Sequence, residues 1–164
     1  MNSIEKINKL SKAEFISTFG NIFEKTEWIA EKCYELKPYN SLNELVLKMV
    51  DIFENAKKVN HLKVLNSHPD LAVAKVLTED SKKEQKDANL NQCTEEEFIE
   101  FKKLNEQYKK KFGFPFIVAV KGKNKGEILN NFRQRITNDI NSEFEEAKKQ
   151  VKKIASFRLI EIIK

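Results

Sequence analysis

Apolar residues recur every three or four positions along most of the chain, which is the spacing of amphipathic helices. Stretches around Phe15, Trp28, Phe98 and Ile128 follow this spacing, and the region after Ser41 shows it most clearly. The apolar face after Ser41 consists of Leu42, Leu45, Val46, Met49, Ile52 and Phe53. The pattern predicts an all-α fold, a helical bundle formed by a single domain over residues 1–164.

Several helix starts are indicated by capping boxes, in which a Ser or Thr is followed three residues later by Glu. Each side chain then bonds the free backbone N–H of the other residue. Ser81–Glu84 fits this pattern and is ambiguous, because the same arrangement collects groups that suit an oxyanion at a helix start. The other predicted boxes are Ser11–Glu14, Ser41–Glu44, Thr94–Glu97 and Ser142–Glu145.

One segment, at about residues 113–121, departs from the helical pattern. It is apolar, rich in β-prone residues and bounded by glycine, and Pro115 biases Phe114 away from helical backbone angles. No partner strand is predicted elsewhere in the sequence. We therefore expect a buried extended segment that is covered by helices, or one whose backbone amides face a ligand.

Composition limits the functions that the chain could have. The 164 residues carry a net charge of +5, and the lysines are interspersed with acids, which favours a solvated surface over nucleic-acid binding. No apolar stretch is as long as a membrane span, and no secretory signal is visible. Cys33 and Cys93 are isolated, as is typical of reduced thiols, so we expect a cytoplasmic protein.

No cofactor or metal site is predicted from motifs. Two histidines far from either cysteine do not form a convincing zinc site, and no glycine-rich nucleotide motif is present. An enzyme with this sequence would therefore work with side chains alone.

Three side chains are candidates for chemistry. His68 precedes Pro69, which would hold it extended at the rim of a helix, where an imidazole could transfer protons or only cap the helix end. His61 has no comparable setting and is expected at the surface. Arg158 falls on an apolar stripe of the last helix, where a buried guanidinium needs an anion or carbonyl groups. Glu84 is the third candidate.

Taken together, these segments resemble the 2-oxo-4-hydroxy-4-carboxy-5-ureidoimidazoline (OHCU) decarboxylase family. The resemblance covers most of the chain, and the order and spacing of its motifs are specific. The matching segments are WIAE at 28–31, SHPDLA at 67–72, LTEDSKKEQ at 77–85, FxxLNxxYxxxFGFPFIVAV at 101–120, KGEIL at 125–129 and the spacing near Arg158.

The resemblance implies an all-α, usually dimeric enzyme that converts OHCU to (S)-allantoin and carbon dioxide without a cofactor. It assigns proton donation to His68 and a catalytic role to its partner Glu84. It also implies a small-molecule ureidoimidazoline as the binding partner. From the charge pattern and the hydropathy we expect no nucleic-acid or membrane partner. The implied substrate-binding residues are Pro69, Ser81, Lys82, Lys83, Gln85, Phe116, Ile117, Val118, Ala119, Val120 and Arg158.

Two positions depart from the pattern of the family, which commonly has Gly soon after HPDLA and again after the EQ pair. This chain has Val73 and Asn89 there, and the stretch between the two motifs is short. Two rival functions also remain, a non-catalytic ureide-binding protein and a basic helical module that binds a macromolecule.

Overall fold

A computed structural model describes residues 3–72 and 78–163, and every regular element in them is helical. This confirms the all-α prediction. A short 3₁₀ helix, Leu90–Gln92, follows α6. The α-helices are α1 (Ile4–Asn8), α2 (Lys12–Phe19), α3 (Glu27–Glu35), α4 (Leu42–Glu54), α5 (Lys58–Ser67), α6 (Glu79–Asp87), α7 (Glu95–Phe112), α8 (Lys125–Arg135) and α9 (Ile140–Ile163).

The described residues divide into two compact units. The first lies within residues 1–67 and 152–164, and the second lies within residues 68–151. Phenylalanines form much of each core, Phe15, Phe19, Phe23 and Phe53 in the first unit and Phe101, Phe114, Phe116 and Phe132 in the second. A single domain over the whole chain stays a prediction. No helix in the described ranges is long and apolar enough to cross a bilayer.

Two of the predicted capping boxes, Ser11–Glu14 and Thr94–Glu97, are present in full at the starts of α2 and α7. At α4 only half of the box forms. The hydroxyl of Ser41 accepts from the N–H of Glu44, whereas the carboxylate of Glu44 accepts from the N–H of Asn40.

The capping boxes predicted at Ser81 and Ser142 are wrong, because each helix begins one turn earlier. The side chain of Thr78 caps α6 by accepting from the N–H of Ser81, and Asp139 accepts from the N–H of Ser142 in the same way. Thr and Asp are good caps, and each lies three residues before the expected one. Glu84 is therefore inside α6, and a capping role does not explain it.

His61 is not a surface residue as predicted. It is only 5% exposed, its Nε2 atom lies 2.6 Å from the carbonyl oxygen of Phe53, and its ring centroid is 4.9 Å from that of Phe53. Helix α5 places it three and four positions before the core residues Val64 and Leu65, on the same face. His61 thus has a structural role in the first unit.

Asn89 adopts a left-handed backbone conformation between α6 and the 3₁₀ helix, with φ of 62°. Asn is one of the few residues with a side chain that enters this region readily, and Gly is the other common choice. The departure from the family pattern at this position therefore keeps the backbone conformation that a glycine would allow. Val73, the other departure, lies outside the described residues.

The predicted extended segment is confirmed. Helix α7 ends at Gly113, which has φ of 82°, and residues 114–120 are buried without helical structure before a turn at 121–122. Its neighbours are helices of the second unit, and side chains satisfy part of its backbone.

Candidate functional site

His68 is the first residue after α5, at the start of the loop formed by residues 68–72, which we call the HPDLA loop. The helix ends at Ser67, as the following His-Pro pair predicts, and His68 is buried. Pro69 and Asp70 are partly exposed. The imidazole is thus placed at a helix end and shielded from bulk water.

Helix α6 divides the SKKEQ motif between two faces. Ser81 and Gln85 are buried and Glu84 is half-buried, whereas Lys82 and Lys83 are exposed. This division follows from the helical spacing of three and four residues. Residues 81, 84 and 85 therefore lie on the inward side of the helix.

Gln85 joins α6 to the HPDLA loop. Its Nε2 donates to the carbonyl of Asp70 at 3.2 Å, and its Oε1 accepts from the N–H of Ala72 at 3.0 Å. Ala72 has φ of 53°, a left-handed conformation that is unfavourable for alanine and needs support from its surroundings. The helix that carries Glu84 is thus bound directly to the loop that carries His68.

Asn105 on α7 supports the same loop. Its Nδ2 donates to the carbonyl of Leu71 at 3.0 Å, and its Oδ1 is buried with no hydrogen-bond partner among residues 3–72 and 78–163. Lys109, one turn further along α7, binds the carboxylate of Asp70 at 2.7 Å. Sequence reasoning missed Asn105, although a polar residue beside Leu104 on an apolar helix face was a usable signal.

The side chain of Phe116 is a core residue. Its ring stacks on Phe132 with 3.9 Å between centroids, and the guanidinium of Arg135 lies 4.5 Å from its centroid. Tyr108 on α7 meets it edge-on at 5.4 Å. The Phe116 ring is therefore occupied by core contacts, and a ligand would bind the backbone of residues 116–120 instead.

Two side chains bind the backbone on either side of Val118. Arg135 Nη1 donates to the carbonyl of Ile117 at 2.6 Å, and the N–H of Ala119 donates to Oε1 of Gln150 at 2.9 Å. The Ala119 N–H is therefore already bonded, so it is not among the backbone amides of residues 116–120 that are left to bind substrate. In the described part of the chain, the N–H of Val118 makes no hydrogen bond.

Arg135 belongs to a buried charged network in the second unit. Its Nε lies 2.9 and 3.2 Å from the two carboxylate oxygens of Glu143, which is 0% exposed, and the Tyr108 hydroxyl donates to the same carboxylate at 2.7 Å. Burial and this hydrogen bond raise the pKa of Tyr108. The network was not predicted, although Arg135 follows Ile128 and Phe132 at helical spacing.

Arg158 is buried, as the apolar stripe on α9 predicted, and belongs to the first unit. Its Nη2 donates to Glu24 at 2.7 Å and its Nη1 donates to the carbonyl of Asn21 at 2.8 Å. Glu24 is therefore the anion that an inward-facing guanidinium requires. Contact of Arg158 with substrate stays a prediction.

The groups in the second unit suit proton transfer and the binding of a polar, planar ligand. His68 is positioned by its loop, and Glu84 lies on the helix bound to that loop. The Phe116 ring packs on Tyr108 of α7, the helix that also supports the loop through Asn105. No group of three or more His, Cys, Asp and Glu side chains that could hold a metal ion is found in the described residues.

Comparison with known proteins decides the family. The model of the family described as OHCU decarboxylase matches residues 8–160. The chain belongs to this family. The 2-oxo-4-hydroxy-4-carboxy-5-ureidoimidazoline decarboxylase of Haloferax volcanii is 34% identical over 159 residues, which are 97% of this chain and 95% of that protein.

Some relatives of this chain are longer proteins. The uric acid degradation bifunctional protein of Bacillus sp. (strain TB-90) is 42% identical over 164 residues, 100% of this chain and 33% of that protein. The PucL protein of Bacillus subtilis is 38% identical, also with 33% of its length covered. The chain thus spans about one third of the length of these two Bacillus relatives.

Solved structures share the fold. A crystal structure of (S)-allantoin synthase superposes with a TM-score of 0.81 at 27% identity, covering 100% of this chain and 54% of that one. A crystal structure of OHCU decarboxylase in the presence of (S)-allantoin gives a TM-score of 0.73 at 23% identity, covering 94% and 99%. At 23% identity the second structure shows a shared fold.

Proposed function

We propose that this chain decarboxylates OHCU to (S)-allantoin and carbon dioxide without a cofactor, as a carboxy-lyase of urate degradation. Family membership supports the reaction class. The observation that carries the proposal is the bond between Gln85 and the HPDLA loop, because it joins the two motifs to which the chemistry is assigned. The alternative function, a helical module that binds a macromolecule, does not explain why these two motifs are joined.

The chemistry requires no electron sink other than the substrate. Loss of carbon dioxide leaves an electron pair that the neighbouring imine and carbonyl groups of the ring accept. A proton is then added to the ring carbon that bears the ureido group, while the hydroxyl proton passes to the former imine nitrogen and the hydroxyl becomes the ring carbonyl of allantoin. The face of addition to the carbon fixes the handedness of the product. The protein must orient the carboxylate, stabilise the developing charge with fixed donors and supply that proton.

His68 is the proposed proton donor. An imidazole is partly protonated near neutral pH, and in the HPDLA loop it is held by backbone contacts of its neighbours rather than left on a mobile chain. Glu84 is proposed to orient His68 or the substrate hydroxyl and to favour the protonated imidazole. Pro69 is proposed to contact the substrate beside His68.

The substrate ring is proposed to bind the backbone of residues 116–120, together with polar groups at Ser81 and Gln85. Lys82 and Lys83 are exposed on α6, so their contribution would be a positive field that attracts an anionic substrate. Arg158 remains a proposed substrate contact.

We further propose that the protein is a cytoplasmic homodimer. Both cysteines are free thiols in the structure, in agreement with a reducing compartment. Burial raises the pKa of the Cys33 thiol to about 11, so this thiol is protonated and chemically inert at neutral pH.

Freshly generated OHCU provides the direct test. We expect the protein to accelerate both the loss of OHCU absorbance and the appearance of a circular dichroism signal from (S)-allantoin. A control without protein should give slow decay and no optical activity. Binding of (S)-allantoin without faster OHCU loss would show instead a non-catalytic ureide-binding protein.

Replacement of Glu84 by Gln tests the role of its charge. Because α6 is capped by Thr78 and not by Glu84, Glu84→Gln should leave the melting temperature nearly unchanged while turnover falls by at least about tenfold. Steady-state kinetics and thermal unfolding check the two halves of this statement. Glu79→Gln, an acid-to-amide change on the same helix, is the matched control, and a Glu84→Gln enzyme within a few-fold of the wild type would remove the carboxylate from the mechanism.

A further inference from the structure

The backbone around Val118 is fixed by two side chains that sequence motifs do not mark. Arg135, from α8, holds the carbonyl of Ile117, and Gln150, from α9, holds the N–H of Ala119. Both side chains are buried, and all of these residues belong to the second unit. Each bond therefore fixes the rotation of one peptide plane.

The geometry of the peptide group sets the direction of the neighbouring atoms. In a trans peptide the C=O and N–H groups point in opposite directions. Binding of the Ile117 carbonyl by Arg135 therefore turns the Val118 N–H away from Arg135, and binding of the Ala119 N–H by Gln150 turns the Val118 carbonyl away from Gln150. In an extended segment the N–H and C=O of one residue lie on the same edge, so Val118 presents a donor and an acceptor side by side.

The two holding side chains are themselves held in place. The carboxamide of Gln150 is oriented by its Nε2, which donates to Glu146 at 2.8 Å, so that Oε1 faces Ala119. Arg135 is fixed by Glu143 and by the ring of Phe116. A guanidinium bound to the Ile117 carbonyl also polarises that peptide group, which makes the Val118 N–H a stronger donor.

A buried charged pair is a costly way to stabilise a core. Replacing such a pair by well-packed apolar residues usually leaves the stability unchanged or increases it. Stabilisation of the core therefore does not explain why the Arg135–Glu143 pair is present. A fixed direction of the Val118 N–H and C=O groups would explain the pair. The geometry points to Arg135 and Gln150 as positioning residues that aim the N–H and C=O of Val118 at a cyclic ureide, whose ring carries C=O and N–H groups on neighbouring atoms.

This inference rests on the proposed function and deepens it, because it names how the ring is held. The substrate ring stays bound in the ground state and in the transition state. Misdirection of the Val118 N–H and C=O groups therefore weakens binding more than it slows the chemical step. Gln150→Leu, which removes the acceptor for Ala119, should raise both the KM for OHCU and the Kd for (S)-allantoin roughly tenfold, with kcat changed less.

A conservative exchange provides the rescue. In the double variant Gln150→Glu with Glu146→Gln, the new carboxylate at 150 accepts from the Ala119 N–H and the new amide at 146 donates to it. Both hydrogen bonds are thus kept with their polarity exchanged. KM and Kd should return to within about threefold of the wild-type values. A role in stability alone would give lower melting temperatures without this pattern in KM.

Arg135→Lys is a second, independent variant, because it keeps the charge beside Glu143 but loses the planar fork that reaches Ile117. Like Gln150→Leu, it should raise the KM for OHCU. If Arg135→Lys does not fold, the Gln150 variants alone test the positioning role. The control is Tyr39→Phe, which removes a buried hydrogen bond to the Cys33 carbonyl in the first unit and should leave KM unchanged.

Nuclear magnetic resonance of ¹⁵N-labelled protein reports on the edge directly. Addition of (S)-allantoin should shift the Val118 amide resonance in the wild type and much less in Gln150→Leu. A folded Gln150→Leu protein with wild-type KM and Kd overturns the inference and leaves the proposed function standing. A wild type that binds (S)-allantoin without turning over OHCU overturns the proposed function, and the inference is then judged on Kd alone.

Discussion

His68→Asn should lower the turnover of OHCU by about 10²- to 10⁴-fold and abolish the optical activity of the product, because the proposed proton donor is then missing. Asparagine is also polar, and the hydrogen bonds that Gln85 and Asn105 make to the loop go to the backbone of Asp70, Leu71 and Ala72, which the substitution leaves in place. The fold should therefore survive. Stopped-flow absorbance and circular dichroism measure the two effects on freshly prepared substrate.

His61→Asn is the matched control, because His61 is also a buried histidine but its imidazole binds the Phe53 carbonyl within the first unit. It should lower the melting temperature and leave the turnover of the folded protein close to the wild-type value. If His68→Asn instead kept wild-type turnover and produced one enantiomer, proton donation by His68 would be excluded.

Glu24→Ala should produce the largest loss of stability, about 3–5 kcal/mol, because it leaves the guanidinium of Arg158 buried without its carboxylate. Glu24 is 0% exposed and Arg158 is 5% exposed, so water does not readily replace the lost partner. For a chain of this size the melting temperature should fall by roughly 10 °C. Thermal and urea unfolding monitored by circular dichroism measure the change.

Two controls separate the buried charge from charge in general. Glu54→Ala removes a carboxylate from the more exposed pair with Lys152 and should cost less than about 1 kcal/mol. Glu24→Leu combined with Arg158→Met removes both buried charges and should recover much of the stability. If this stable double variant has a raised KM, Arg158 contacts substrate as the family resemblance implies; an unchanged KM leaves it a structural role.

Helix positions and the extended segment could be read from the sequence because they depend on local signals. Spacing of apolar residues gave the helix faces, and Pro115 between two glycines marked the break. Helix starts were harder to predict, since Thr78 and Asp139 are favourable caps and lie one turn before the serines that were chosen. A local rule cannot choose between two good caps one turn apart.

The supports of the site could not be predicted because they join residues that are distant in the sequence. The bond from Asn105 to Leu71 spans 34 positions, and the bond from Gln150 to Ala119 spans 31. A polar residue on an apolar face signals that a partner exists but does not name it. The same limit explains why Arg158 was expected to be buried while Glu24, its partner 134 positions earlier, was not identified.

The two bonds made by Gln85 restrict which amino acids this position accepts. Asp70 requires a donor and Ala72 requires an acceptor, at the end of one side chain of fixed length. Glutamate offers no donor when ionised, lysine and arginine offer no acceptor, and asparagine is shorter by one methylene group. When all nineteen other residues are tested at position 85, we therefore expect none to be tolerated. Neighbouring exposed positions such as Lys86 should accept many replacements.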